Sequence, residues 1–591
     1  MDILGKPVRL VETGALVVGS GCAGLNCADW LTDLGVDTLL ITEDMGAGTS
    51  RNAGSDKQTY YKLSLSGDAD DSPERMARDM VSEGMHGDEA YVEAANSAAC
   101  FLKLARLGVP FPTNRMGEYV GYKTDHDPRS RATSAGPLTS RYMAEALEAS
   151  LRKKGARMLD GYTALKVLAE GGRCAGCVAA GEDEILVILA PNVVLCTGGP
   201  ARLYEYSAFP ERQWGMSSLA IEAGAKMANM HQWQYGLATV KFRWNVSGTY
   251  QQAMPRYVSV GKDGEYELLP DQPDARFLKG YQWPFDVRKA EGSSMVDLAV
   301  HRENEKGRRV YLDYTRESSG MDRLGKEARD YLLASGAGQG TPYQRLLHMN
   351  PAAAKLYMDH GIDLSREMAE VRVCAQHHNG GAAVDINGET NVPGLYAAGE
   401  CAGTFGAYRP GGSALNAGQV TSMRAAQHIA QGRIRPVSGS LEGLKEAVLG
   451  AFLAPKEDRE AFFRRSMSAC GAHLRSEKRL MALFEAQDIP LRRMEAGEDI
   501  RYLAGIRDAM ITRRAVISAM LAAARIYGSD GSGMVLEDDG TFRPHRQAEN
   551  AVLETGADFV TRAVPARPIP RTEQWFENVW RDYRSRMGIG E

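Results

Sequence analysis

Along residues 15–44, ALVVGSGCAGLNCADWLTDLGVDTLLITED, apolar residues run together, break at glycines, recur at helical spacing and then run together again. That order predicts a strand, a tight turn, an amphipathic helix and a second strand, a β-α-β unit. Helical spacing returns over 84–108 and 138–155. A hairpin-like stretch around 173–189 then leads into VVLCTGGPARLY, a strand that ends in Thr197, Gly198 and Gly199. Residues 215–230 read as one further helix. From about 232 to 368 the texture turns aromatic-rich and irregular, as in KFRWNVSGTYQQAMPRY, which predicts an inserted domain. The glycine-punctuated pattern resumes at 391–432 as a strand, a loop and a long helix beginning near Ser413. Beyond 436 the chain reads as mainly helical, with a polar, proline-containing tail after 530.

Composition narrows the class without naming it. A chain of 591 residues exceeds what a single core usually fills, so several domains are expected. The net charge of −5 is spread over mixed signs with no basic stripe, which argues against a nucleic-acid partner. The start lacks the pattern of a secretory signal, and no apolar run approaches the ~20 residues of a membrane span, so a cytoplasmic protein is expected. Nine scattered cysteines fit a reducing compartment. The only C-x-x-C, Cys174 to Cys177, falls on the hairpin, where residues three apart face opposite sides, so no metal site is assigned to it. Spacings for iron–sulfur clusters or covalent haem do not occur.

Candidate chemistry sits at the glycine turns. Gly19, Gly21 and Gly24 form G-x-G-x-x-G between a strand and a helix, with Glu43 at the end of the second strand. The first glycine permits the turn, the second lets backbone approach a pyrophosphate, and the third packs helix on strand. The helix start favours the anion, and Glu43 suits a ribose hydroxyl. In GAYRPGGSALNAG, residues 406–418, Arg409 stands beside two glycines that open onto a helix start, a setting for an anionic or electron-rich group.

G-S-G-x-A-G at 19–24, T-G-G at 197–199, YLDYT at 311–315, HGIDLSRE at 360–367, VPGLYAAGE at 392–400 and RPGGSAL at 409–415 occur in a familiar order. The chain thereby resembles the flavoprotein subunits of fumarate reductase and succinate dehydrogenase, a fold shared with L-aspartate oxidase and the adenylylsulfate reductase flavoprotein. The likeness covers most of the chain. It implies an α/β fold: a Rossmann-like FAD-binding domain (1–231 and 369–435) interrupted by an α+β capping domain (232–368), then a C-terminal helical domain and tail (436–591). It implies that Gly19, Gly21, Gly24, Glu43, Ser50, Thr197, Gly198, Gly199, Glu400, Ser413 and Leu415 hold FAD. No histidine precedes His86, so the histidyl attachment of membrane-bound members has no candidate and FAD is expected to be noncovalent. Arg409 resembles the arginine that clamps a substrate carboxylate above the flavin.

The rest of the dicarboxylate site departs from the family pattern. Gln376 of QHHNGG stands where the first substrate histidine belongs, and Gln234 of QWQYG where the second does. Gln252 and Ala253 replace a Thr-Glu pair ahead of Arg256. Ser294 aligns with the arginine that delivers the proton in fumarate reduction, and nearby Arg288 is outside the motif. Fumarate and succinate are therefore not the expected substrates. His377 and His378 are candidate proton carriers or structural groups, and Arg256 is a weaker electrostatic candidate. Trp233, Tyr235, Trp244, Tyr250 and Tyr257 either stack on a larger, less charged substrate or form the capping domain's own core. The expected activity is hydride transfer between flavin N5 and carbon of an unsaturated organic acid or carbonyl compound. Two alternatives stand beside it: an electron-transfer subunit working with an iron–sulfur partner, and an amino-acid oxidase resembling L-aspartate oxidase.

Overall fold

A computed structural model of the chain describes residues 2–589 except 68–69, 339, 433–436, 438–441 and 547–549. The first β-α-β unit forms as its pattern dictates: strand Ala15–Val18, helix Cys22–Asp33, strand Thr38–Thr42. Both strands are buried throughout, as expected where helices cover both faces of a parallel sheet. They lie in a five-stranded sheet ordered Leu395–Ala397, Val193–Leu195, Ala15–Val18, Thr38–Thr42, Arg157–Asp160, every pair parallel. Residues 393–397, some 200 positions after the second strand of the sheet, thus return to close the same layer.

A second sheet stacks nearby, with Lys6–Glu12, Ile185–Leu189, Arg173–Ala180 and Thr163–Glu170 side by side. Cys174 and Cys177 lie in its core as free thiols that burial pushes up to about 12, so they are protonated at neutral pH. A third, antiparallel sheet is ordered Trp233–Thr239, Ala369–His378, Arg309–Asp313, Arg256–Gly261, Gly264–Glu267. Its strand Ala369–His378 runs from the inserted region back towards the parallel sheet. The boundary expected at 435–436 lies outside the described residues.

Two expectations need correction. The helix expected over 215–230 is only Ser218–Glu222: Gly224, at φ +90°, stops it, and Met227–Ala228 becomes a strand. The C-terminal part does contain the helices Glu460–Cys470, Glu477–Glu485 and Ile500–Ile526, the last mostly buried. The polar stretch after 530, however, is folded back. Ala551–Thr555 and Thr561–Pro565 form a hairpin that pairs with Met227–Ala228, and Arg567 binds Asp88 and Glu89 at 2.7 Å each. Among the described residues no helix is long and apolar enough to cross a membrane.

Candidate active site

Backbone geometry builds one end of the site. Gly19 has φ +111°, and a Cβ there would sit 2.4 Å from the Cys196 carbonyl oxygen. At Gly24 a Cβ would sit 1.9 Å from the Gly19 oxygen, so only glycine lets helix Cys22–Asp33 lie against the turn. That helix has Gly21 as its N-cap, which brings no side chain of its own, and no acid in its first turn, which leaves its positive end facing outward. Ser50 Oγ accepts from the Cys22 N–H at 3.0 Å. Helix Ser413–Gln431 repeats the arrangement, with Gly412 at φ +89° as N-cap and again no acid or side-chain cap.

The two helix starts open onto one cavity of about 690 Å³. Its wall runs from Gly19, Gly21 and Glu43 past Ser50, Thr197, Gly198 and Glu400 to Leu415, Gln376, His377 and Arg409. Glu43 there meets Arg501, from the first turn of the long C-terminal helix, in an ion pair that the sequence did not suggest. Thr197 Oγ1 is buried with no hydrogen-bond partner among the described residues. Three expected contacts stand behind the wall. Gly24 supports the turn, and Gly199 supports Glu400, whose carboxylate oxygen would lie 2.5 Å from a Cβ at Gly199. Ser413 turns its hydroxyl into the protein, and Ala414 and Leu415 take the wall instead.

Side chains build the other end. Arg409 is buried, and its guanidinium donates to Gln234 Oε1 at 2.6 Å, Asn379 Oδ1 at 3.3 Å and the Pro410 carbonyl at 3.4 Å. Burial pulls it down to about 10, with Glu400, Glu93 and Asp125 opposing that fall, so it stays charged at neutral pH. Asn379 Nδ2 donates to the Gly406 carbonyl at 2.9 Å, which fixes the amide with its oxygen towards Arg409 and His377 Nδ1, the latter at 2.9 Å. An acceptor at that point makes Nδ1 the protonated nitrogen of His377 and leaves Nε2 with a bare lone pair. Nε2 has no hydrogen-bond partner among the described residues and lies 3.9 Å from Glu400 Oε1. Burial, and then the Arg409 charge, push the imidazole well below its ordinary value, so it is neutral. The neutral ring keeps the Nε2 lone pair free, and the same burial and charge make that nitrogen a weak base.

The structure does not bring all the expected residues here. His378 follows His377 on the strand and so turns to the opposite face: its ring packs 4.4 Å from Trp233, and its Nε2 meets the Met230 carbonyl at 3.1 Å. Arg256 is held by Asp313 at 3.0 Å and Glu267 at 3.4 Å, away from the cavity wall. Ser294 Oγ accepts from the Asp286 N–H, and Arg288 pairs with Asp286 and lies over the Tyr408 ring; neither lines the cavity. Of the five aromatics, Trp233 and Tyr235 belong to the main core and Trp244, Tyr250 and Tyr257 to the core of the inserted region. Their burial within 3 % exposure decides for packing over stacking on a ligand.

Other groups occupy the place the sequence reading gave them. Trp283, Tyr281 and Tyr331 line the cavity, and so does Asp125. The Trp283 ring nitrogen donates to Gln376 Oε1 at 2.7 Å, and its backbone N–H to Asp125 Oδ1 at 3.2 Å. Burial raises Asp125 to about 7. Its neighbour His126 holds φ +54°, unusual for a residue with a side chain, a local signal that no reading of residue types exposes.

Residues 14–415 match a family model described as an FAD binding domain. The chain belongs to this family of FAD binding proteins. An L-aspartate oxidase of Agrobacterium fabrum is 30% identical over 434 residues, covering 72% of this chain and 75% of the relative. One of Streptomyces coelicolor is 27% identical over 437 residues, covering 72% and 69%. Among solved structures, the FrdA chain of E. coli quinol fumarate reductase superposes with a TM-score of 0.70 at 20% identity, over 96% of this chain and 98% of that one. Adenylylsulfate reductase of Archaeoglobus fulgidus gives 0.64 at 16%, over 96% and 98%. The fold is therefore shared over 96% of the chain, and the protein is an FAD-dependent oxidoreductase.

The residues fit that cofactor. Turns that would clash with any Cβ give the backbone the close approach a pyrophosphate needs, and two helix starts without an acid in their first turns face the same cavity. Thr197 Oγ1 offers an unused hydroxyl, and Glu43 and Glu400 offer carboxylates for hydroxyls of the ribose and ribityl chain.

Proposed function

We propose that this chain transfers a hydride and a proton at adjacent carbons of an unsaturated organic acid or carbonyl compound, and that fumarate and succinate are not its substrates. FAD, held noncovalently, would supply or take up the hydride. The reading rests on one observation, the chain Arg409–Asn379–His377, which fixes a cation and a neutral imidazole side by side at the cavity wall. In oxidation Arg409 would polarise a carbonyl or hold a carboxylate, acidifying the neighbouring C–H, and His377 Nε2 would take that proton; in reduction the same nitrogen, protonated from solvent, would give it back to the carbon beside the one that receives the hydride. Gln234 and Gln376, at the two positions where the resembled family has substrate histidines, supply neither a second cation nor an acid. The free, buried cysteines suit a reducing cytoplasmic setting.

The test is anaerobic photoreduction of the purified yellow protein, followed by candidate acceptors while the flavin absorbance is watched. Reoxidation by a monocarboxylic enoate or an enone, with indifference to fumarate, is the expected result; rapid reoxidation by fumarate defeats the reading. A second reading, oxidation of an amino acid, is favoured by the L-aspartate oxidase relatives and requires peroxide formation from L-aspartate in air. A third, electron exchange with an iron–sulfur partner, draws on the full-length fold likeness to quinol fumarate reductase and adenylylsulfate reductase. It requires reoxidation by an added iron–sulfur protein alone.

A further inference from the structure

The cavity wall contributed by residues 232–368 carries no charge. Its side chains are amides, a serine, phenols and an indole, with Gln234, Asn245, Ser247, Gln252, Trp283 and Tyr331 the ones that matter. Charged groups of that region are engaged elsewhere: Arg256 with Asp313, Lys279 with Asp297, Arg288 with Asp286. Lys57 and Lys123 reach the cavity from the other side, where Lys57 stands 5.4 Å over the Tyr122 ring and Lys123 is exposed.

The amides are oriented by what they already bind. Gln234 Oε1 accepts from Arg409 at 2.6 Å and Gln252 Oε1 accepts from the Tyr331 hydroxyl at 2.8 Å. Each glutamine is thereby left with an NH₂ group that has no acceptor among the described residues. Asn245 Oδ1 is the converse, a buried acceptor without a donor. Spare donors on the wall, with a spare acceptor buried just behind it, match hydroxyl groups, which both give and take hydrogen bonds. A carboxylate would satisfy the donors and leave Asn245 unpaired, at the cost that an unmade buried hydrogen bond carries. Trp283, held at its ring nitrogen by Gln376 and at its backbone by Asp125, adds a fixed apolar surface of the kind that takes the C–H face of a ring.

We propose that the part of the substrate facing residues 232–368 is uncharged and polyhydroxylated, like a sugar or cyclitol ring. The inference rests on the hydride-transfer reading above and narrows its carbonyl compound to one bearing several hydroxyls. The carbonyl lies at Arg409, and the hydroxyls lie against Gln234, Gln252 and Asn245.

The experiment titrates the FAD-loaded protein with myo-inositol, methyl β-D-glucoside, crotonate, succinate and L-aspartate while the flavin spectrum is recorded. A saturable spectral change with at least one of the two neutral polyols is expected, with no saturation by succinate or L-aspartate in the same range. Gln252→Leu should weaken polyol binding tenfold or more at unchanged flavin content. Gln252→Glu, which keeps the shape and replaces the donor by an acceptor, should do the same. Tighter binding of crotonate, succinate or L-aspartate than of both polyols overturns the proposal, and so does the absence of any polyol response. Crotonate that reoxidises the photoreduced flavin while both polyols are silent removes the uncharged substrate and leaves hydride transfer standing. Failure of every organic acceptor removes hydride transfer itself.

Discussion

The two ends of the cavity are made of different material. At the nucleotide end the wall is backbone, shaped by Gly19, Gly21, Gly198 and two helix starts that carry no acid. At the substrate end it is side chain, with Arg409, His377 and the glutamines held in place by one another. A backbone wall recognises what every FAD shares and tolerates no added atom. A side-chain wall can be rebuilt residue by residue on the same fold.

The sharpest break in that comparison is Gly19→Ala. The new Cβ would meet the Cys196 oxygen at 2.4 Å in a backbone region that costs a side chain about 1–3 kcal/mol even without the clash. The variant is expected to purify without flavin. Retention of full yellow colour would show that the turn can shift. Arg409→Leu comes next. On the proposed reading it removes the cation that faces the substrate and should lower kcat/KM by about 10²–10³ with flavin retained, and Arg409→Lys should recover little because a point charge cannot reproduce the fork to Gln234 and Asn379. Steady-state assays with whichever acceptor reoxidises the photoreduced enzyme would measure both.

The strand holding the histidine pair offers a comparison within a single element. His377→Gln removes the bare nitrogen and should lower kcat by about 10²-fold with little change in KM. His378→Gln should leave kcat within about threefold and act on stability instead, through its lost packing on Trp233. Equal losses of kcat in the two variants would defeat the assignment of one to the cavity and the other to the core.

A smaller effect concerns pH. Burial raises Glu93 to about 8 and Asp125 and Glu400 to about 7. Each therefore holds its proton in the folded protein at pH values where the unfolded chain, near the ordinary carboxylate range, has lost it. The folded state binds more protons between about pH 4 and 8, so these groups stabilise it fully at the acidic end and lose that contribution as pH rises through 7 and 8. Thermal melting of the flavin-free protein should fall by several degrees from pH 6 to pH 8.5. Glu93→Gln, which cannot ionise, should flatten the fall.

These contrasts also explain what could be read from the sequence. The nucleotide end was legible because a glycine at Gly19 or Gly412 reports a backbone shape by itself, and because strand, turn and helix follow one another without interruption. Arg409 was legible for the same reason, being fixed to the second glycine turn. The remaining substrate wall depends on which face of a strand each residue takes and on partners far away in the chain. His378 and Arg256 carried the right chemistry and point elsewhere, whereas Asp125 and Trp283 come from segments with no motif and are joined only in the fold. Strand alternation across QHHNGG was the one signal that could have separated His377 from His378. The hairpin at 551–565 was hidden because its partner, Met227–Ala228, lies more than 300 residues earlier.

Arg256→Gln should have the smallest effect and sharpens the comparison most finely. Arg256 lies on the sheet that supplies Gln234 and His377, yet its guanidinium ends on Asp313 and Glu267, and its side chain is 17% exposed. Removing it leaves Asp313 still accepting from the Thr315 N–H and hydroxyl at 2.8 and 2.7 Å, so the uncompensated charge is partly met. A loss of about 1 kcal/mol in stability follows, well below the cost of breaking a fully buried pair, and kcat/KM should stay within about twofold. If kcat/KM instead fell tenfold with stability unchanged, Arg256 would have to reach the substrate in another arrangement of the capping sheet. The uncharged wall from residues 232–368 would then bring a second cation to the Arg409 end during turnover, and the division between a backbone-built end and a side-chain end with fixed partners would no longer hold.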